Sequence, residues 1–354
     1  MQPFAGLKVV ELASVLAGPT VGLFFAELGA DVVKIENKTT GGDVTRNWKA
    51  PNEKGAISAY YSAANWHKTI RVYDLKNETD RGEIFDLLLE ADILITNFKF
   101  GDAEKFGFDY PSLKTHFPIL IVGEIGGFSI DKQRVAYDVV LQAETGFMSM
   151  NGTPESDPVK MPVAMMDLLA AHQLKEGLLV ALIQKGKTNR GCNVKVTLED
   201  AGIASLANQA SNYLMNGNVA QPIGSLHPNI APYGDTFNCL ENKPIVLAIG
   251  SDVQFAKLCT HLGNKELAFD NRFENNQARL INRTELRQEL SALFMNVDRD
   301  SLLKELHQSN VPAAAIKDIK EVLESPAGQN LVLEETLENT LTKRVKTVAF
   351  TIHS

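Results

Sequence analysis

Cysteine is scarce in this 354-residue chain: Cys192, Cys239 and Cys259 are an odd number, widely spaced and without a CxxC pair. That excludes a disulfide scaffold and any zinc or dithiol chemistry built on paired thiols, and it suits a cytoplasmic protein. Basic charge is short as well. Lys and Arg number 35 against 43 Asp and Glu, a net charge of −8, so no basic face is on offer for a nucleic acid. A phosphorylated small ligand needs only a few local cations and stays open. No apolar run approaches the roughly 20 residues of a membrane helix, and the N-terminal MQPFAGLKVVEL lacks the basic-then-apolar pattern of a secretory leader.

Generic signatures are missing too. The turn Ala13-Ser14-Val15-Leu16-Ala17-Gly18-Pro19 has no GxGxxG, and neither GxxxxGK[ST] nor HExxH occurs anywhere. Gly127-Phe128-Ser129 approaches a nucleophile elbow, but Asp131 stands where the second glycine belongs. These gaps leave dinucleotide, P-loop and zinc-hydrolase readings without support, and no metal site is expected.

What is present is an alternation of short β-branched runs and helical patterns. Leu7–Leu12, Asp31–Glu36, Thr69–Leu75, Ile93–Phe98, Ile119–Gly123 and Cys192–Thr197 read as strands; Gly18–Leu28, Thr79–Glu90, Asp167–Lys185 and Glu199–Met215 read as helices. Strands separated by helices of this length require crossover connections, hence an α/β fold with a parallel sheet covered on both faces. The Asn-, Gly- and Pro-rich stretch 216–234 reads as a linker. It separates a large domain over 1–215 from a smaller domain over 235–325, and 326–354 returns to the large domain. Pro244–Gly250, Val311–Ile316 and Val345–Ile352 are the expected later strands.

Four strings in order carry a resemblance: Leu16-Ala-Gly-Pro19, Gly29-Ala-Asp-Val-Val-Lys-Ile-Glu36, Ala91-Asp-Ile-Leu-Ile-Thr-Asn-Phe98, and Tyr137-Asp138 with Gln142 and Gly146-Phe-Met-Ser149. Together with 224–234 (GSLHPNIAPYG) they resemble the family III CoA-transferases, over most of the chain. The resemblance implies a Rossmann-like large domain, a smaller inserted domain and a homodimer of interlocked subunits. It implies CoA transfer between an acyl-CoA thioester and a small carboxylic acid, with coenzyme A as a substrate and no separate cofactor.

Asp167, in Pro162-Val-Ala-Met-Met-Asp167, stands just before the long helix. Read from the residues alone it is an N-cap or a nucleophile kept ionised by the helix dipole; the resemblance implies the nucleophile. Position by position, the resemblance also implies that Val15, Leu16 and Ala17 run alongside the pantetheine and thioester. Tyr73, Leu75, Lys76, Asn97, Phe98, Lys105 and Phe106 would cradle the adenine and phosphates. Three departures from formyl-CoA transferase, a family member, stand out: Asn37 replaces an arginine, with Lys38 taking over part of its charge; Leu16 replaces a glutamine; and only Gly250-Ser251-Asp252 is left of a glycine-rich loop. Arg46, Arg134 and Lys160 are the cations that could pair with the second carboxylate of a dicarboxylic acid.

A racemase of the same fold is the alternative. It needs a base beside the substrate α-carbon, usually a histidine ahead of the aspartate where this chain has Tyr137-Asp138. A phenol ordinarily titrates about three units above neutrality, so Tyr137 suits hydrogen-bond donation to Asp167 or the acyl oxygen rather than proton abstraction. Incubating a 2-methylacyl-CoA with the protein in deuterated water is therefore expected to leave the α-hydrogen unexchanged, as read by mass; rapid wash-in dependent on Tyr137 would favour the isomerase.

Overall fold

A computed structural model describes residues 2–353. The chain divides into two units: one takes residues up to Asn151, Asp157–Gln221 and Gln329 onward, the other Gly152–Ser156 and Pro222–Gly328. In the first unit, β1 (Lys8–Leu12), β2 (Asp31–Asn37), β3 (Thr69–Tyr73), β4 (Ile93–Thr96), β5 (Ile121–Gly126) and β6 (Asn193–Thr197) form one parallel sheet in the order 3-2-1-4-5-6. This is the doubly wound α/β order. Alternate residues feed two cores, as the two-residue strand period requires. Val9, Ile93, Ile95 and Ile121 face the helices Ala17–Glu27 and Met165–Thr188, with Phe24, Phe25, Ala170 and Leu174. Val10, Leu12, Leu94 and Val122 face Ile84, Leu88, Phe108 and Leu113.

The second unit has its own core, with Ile245, Leu247, Phe255, Leu258 and Phe294 packed between helices and a small antiparallel sheet. That sheet holds β7 (Tyr233–Asn238), β8 (Pro244–Ala248) and β9 (Ala313–Ala315).

Two expectations need correction. The single helix over Glu199–Met215 is two, Leu198–Ala204 and Ala207–Asn216, broken where Ala207 adopts a φ of +49°. The strand expected over Val345–Ile352 is absent; the tail instead forms a hairpin of β10 (Val332–Leu337) and β11 (Thr340–Val345). Beyond it, the backbone N–H groups of Thr347 and Val348 bond the Glu27 carboxylate, not a strand ladder. The hairpin is hard to read because its turn, Glu338-Asn339, contains no glycine.

Buried charge holds the sheet's first turn in place. Lys34 Nζ lies 3.0 Å from Glu11, 3.1 Å from Asp43 and 2.8 Å from the Ala13 carbonyl oxygen. Lys68 Nζ lies 2.7 Å from the other Glu11 oxygen and 2.8 Å from the Pro19 carbonyl oxygen. All four side chains are buried. Burial opposes the Lys34 charge, but Glu11 and Asp43 outweigh it and raise its pKa; burial drives Lys68 down to about 8 despite Glu11. Gly22 makes room for the cluster, since a Cβ there would collide with the Glu11 carboxylate. Lys34→Met leaves two buried carboxylates short of a counter-charge and is expected to destabilise the chain by about 3–5 kcal/mol, measurable from the urea midpoint.

Candidate active site

In a 3-2-1-4-5-6 sheet the strand order reverses between β1 and β4, and the crevice beyond their carboxyl ends is where such folds bind ligands. Here that crevice is bounded by residues 13–16 after β1 and residues 97–98 after β4. The Asn97 amide ties the two together, accepting from Ser14 N–H at 3.0 Å and donating to Ser14 O at 2.8 Å. Val15 sits at φ +71°, a conformation that a β-branched residue adopts only when its surroundings impose it. Its N–H donates to Asp43 at 3.2 Å. Leu16 then caps the helix start and Ala17 is buried behind it.

The other expected ligand contacts lie along the same edge. Tyr73, Leu75, Phe98 and Phe106 are half-buried against one apolar cluster, with Phe98 stacked on Phe108 at 6.0 Å. Lys105 lies 4.9 Å over the Phe106 ring, and Lys76 and Lys38 are exposed. Asn37 accepts from the N–H and hydroxyl of Thr39, so its side chain caps its own turn. Asn97 likewise has a positioning use that the sequence reading did not foresee.

Asp167 is not an N-cap. It is the third residue of the Met165–Thr188 helix, preceded by Ala164 with no side-chain cap. Asp138 does the capping from another helix, accepting from Met166 N–H at 2.7 Å. Its second oxygen accepts from Gln142 at 2.7 Å, and Gln142 in turn accepts from Met161 N–H at 2.8 Å. Asp138 and Gln142 thus clamp the segment leading into Asp167. The dipole that favours an ionised Asp167 is opposed by its surroundings. Burial and the neighbouring Asp138 push it up to about 7.

Tyr60 is the residue that sequence reasoning missed. Burial raises its phenol to about 12, and the charges of Asp167, Asp138 and Asp43 add to the shift. Its helix, Ala59–Ala64, is capped by Ser58, and Trp48 packs edge-on against its ring at 5.2 Å. No spacing rule links position 60 to 138 or 167. Tyr137, by contrast, is 57% exposed, and its hydroxyl makes no hydrogen bond among the described residues.

Other candidates are engaged elsewhere. Arg46 is held by Glu36, Glu338 and Tyr61, and Arg134 by Glu144, whereas Lys160 forms no ion pair among the described residues. Ser129 donates to Glu199 at 2.7 Å, and His227 Nδ1 accepts from Asn229 N–H. A cavity of about 480 Å³ lies at the other end of the strands and is lined by Asp31, Glu83, Asp86 and Glu90 beside Lys8 and Arg71. Its acidic lining is wrong for a polyanionic nucleotide.

A family model described as CoA-transferase family III matches residues 4–354. The succinate–glutarate CoA-transferase of Agrobacterium fabrum is 37% identical over 349 residues, 95% of this chain and 85% of that protein. The human succinyl-CoA:glutarate CoA-transferase is 32% identical over 92% of this chain and 74% of its own. A CAIB/BAIF family protein from Brucella suis has a closely similar crystal structure, with TM-score 0.87, 36% identity and coverage of 99% of this chain and 93% of that one.

A raised carboxyl pKa costs stability once the group ionises. Folded Asp167 binds its proton more tightly than the unfolded chain does, so its contribution is lost as pH rises from near 3.8 through about 7. Asp167→Asn is therefore expected to match the parent at pH 3 and to exceed it at pH 8, by up to about 4 kcal/mol, in urea titrations at the two pH values.

Proposed function

The chain belongs to the family III CoA-transferases, and we propose that it passes coenzyme A between dicarboxylic acids through acyl intermediates on Asp167. The observation that carries this reading is the raised, half-buried carboxyl of Asp167 at the start of a helix, beside a second carboxylate. Such a group is more basic than a solvated aspartate and, once ionised, is repelled by Asp138. Acylation cancels that charge and relieves the repulsion.

The exchange balances without any other reactant. An Asp167 oxygen attacks the thioester carbonyl, the C–S bond breaks and CoA leaves as thiolate, giving a mixed anhydride. The thiolate then attacks the Asp167 carbonyl carbon and expels the donor acid as carboxylate. The acceptor carboxylate attacks this aspartyl thioester, re-forming an anhydride and thiolate, and the thiolate takes the new acyl group as its C–O bond to Asp167 breaks and frees the Asp167 carboxylate. Each intermediate stays activated, as an ester of serine would not. Tyr60, whose phenol stays protonated at neutral pH, is assigned as the donor to the oxyanions formed on the way. Tyr137, at the start of the helix that carries Asp138, borders this site without acting as its base.

Succinate and glutarate in the relatives' names support a dicarboxylate acceptor. Of the three candidate cations, Lys160 is the one whose charge is not already matched, and it lies on the segment clamped by Gln142, seven residues before Asp167. We assign it to the distal carboxylate. A homodimer is part of the same reading: Val180, Ile183, Tyr213, Leu214 and Met215 are exposed on two helices of the large unit, apolar side chains that a partner subunit would cover.

Incubation of succinyl-CoA with free glutarate is expected to yield glutaryl-CoA by mass, with hydroxylamine trapping a hydroxamate at Asp167. Asp167→Ala should lower the rate by several orders of magnitude, and Lys160→Gln should raise KM for glutarate more than for a monocarboxylic acid. Transfer persisting in Asp167→Ala, with no hydroxamate in the parent, would remove the covalent route.

A further inference from the structure

We propose that Glu338, on the turn of the C-terminal hairpin, is a positioning residue for the coenzyme A site. It acts through Arg46, Glu36 and Asp43 on the Val15–Leu16 turn. The inference rests on the reading above that this turn meets the CoA thioester.

The first observation is a local rule broken. The hairpin closes through two residues, Glu338 at φ +48° and Asn339 at φ +63°. Asn suits such a position. Glu does not, because its Cβ crowds the backbone there, and a left-handed residue other than Gly, Asn or Asp costs about 1–2 kcal/mol. A disfavoured residue persists at such a place when its side chain has a use elsewhere.

That use is visible. Both Glu338 oxygens accept from Arg46, each at 2.8 Å. Arg46 turns its Nε and Nη2 onto Glu36 at 2.7 and 3.0 Å, and Tyr61 donates to the same Glu36 at 2.6 Å. Glu36 accepts from Asp43 N–H at 3.1 Å. The Asp43 carboxylate reaches Lys34 at 3.1 Å and the strained Val15 N–H at 3.2 Å. Gly42 is required in this chain of contacts, for a Cβ there would collide with Glu36 and crowd Arg46. Two charged forks thus set the place of Asp43, and Asp43 sets the place of Val15, from a turn 292 residues beyond Arg46.

Stability does not account for the arrangement. The Glu338 side chain is 42% exposed, so water weakens its pair with Arg46, and Arg46 keeps Glu36 as a partner without it. Its removal should therefore be tolerated by the fold and felt by the turn.

The test compares the full chain with Glu338→Gly, which removes the carboxylate and also relieves the backbone. Glu334→Gln, on the same hairpin but off this path, serves as control. Three quantities are read: thermal midpoint, hydrogen exchange of the Val15 amide, and the calorimetric Kd for CoA. Glu338→Gly is expected to hold or raise the midpoint, to speed Val15 exchange about tenfold and to weaken CoA binding about five- to thirtyfold, as loss of 1–2 kcal/mol would. Its kcat at saturating acyl-CoA should stay within about twofold of the parent, and the control should change none of these. Unchanged Val15 exchange overturns the proposal, and so does faster exchange with unchanged CoA affinity. If the parent itself fails to bind CoA, the coenzyme reading falls, while the exchange data still decide whether Glu338 holds the turn.

Discussion

The site depends on a buried ionic cluster in which Lys34 and Lys68 share Glu11 and Lys34 also reaches Asp43. Its members hold backbone as well as one another: Lys34 bonds Ala13 O, Lys68 bonds Pro19 O, and Asp43 bonds Val15 N–H. A turn that places Val15 at φ +71° cannot satisfy its own polar groups with regular secondary structure, and buried groups left unpaired are costly. Apolar side chains could fill the same volume at comparable stability. They could not bond the turn. Geometry at the end of β1 is what the charges supply.

The same economy recurs around the carboxyl pair. Asp138 takes the N–H of Met166, fixing the start of the long helix, and its charge helps lift Asp167 to about 7. Gln142, four residues on and so on the same helix face, donates to Asp138 and holds Met161. Positioning and electrostatic tuning are thus done by one residue, which explains why Tyr137-Asp138 and Gln142 occur together in one string. Raising a carboxyl pKa works against stability once the group ionises.

Parts of the site are legible along the chain because parallel strands must all end on one edge. Once Leu7–Leu12, Asp31–Glu36, Thr69–Leu75 and Ile93–Phe98 are read as strands, the residues at or just beyond their carboxyl ends, Val15, Lys38, Tyr73 and Asn97 among them, fall on that edge. What each does there is not legible. The Asn97 amide bonds Ser14, Asn37 caps its own turn, and Arg46 is enclosed by two glutamates. Hydrogen-bond partners 83 and 292 residues away have no signature in local spacing. Tyr60 shows the limit best. Its neighbour Tyr61 is buried on Glu36, and nothing in the dipeptide says which phenol feels the charges of Asp167 and Asp138.

The sequence alone determines the α/β class, the order of alternating strands and helices and the family, because two-residue and helical periodicities and short ordered strings are local properties. It also brings Asp167 to the start of a long helix. Tertiary structure alone decides the protonation of that carboxyl, the hairpin that ends where a single strand was expected to begin, and the contacts running from Glu338 to Val15. Each of these depends on charges and backbone groups far apart in the chain becoming neighbours in a medium that screens them weakly, and energy of that kind is set by distance and burial rather than by residue order.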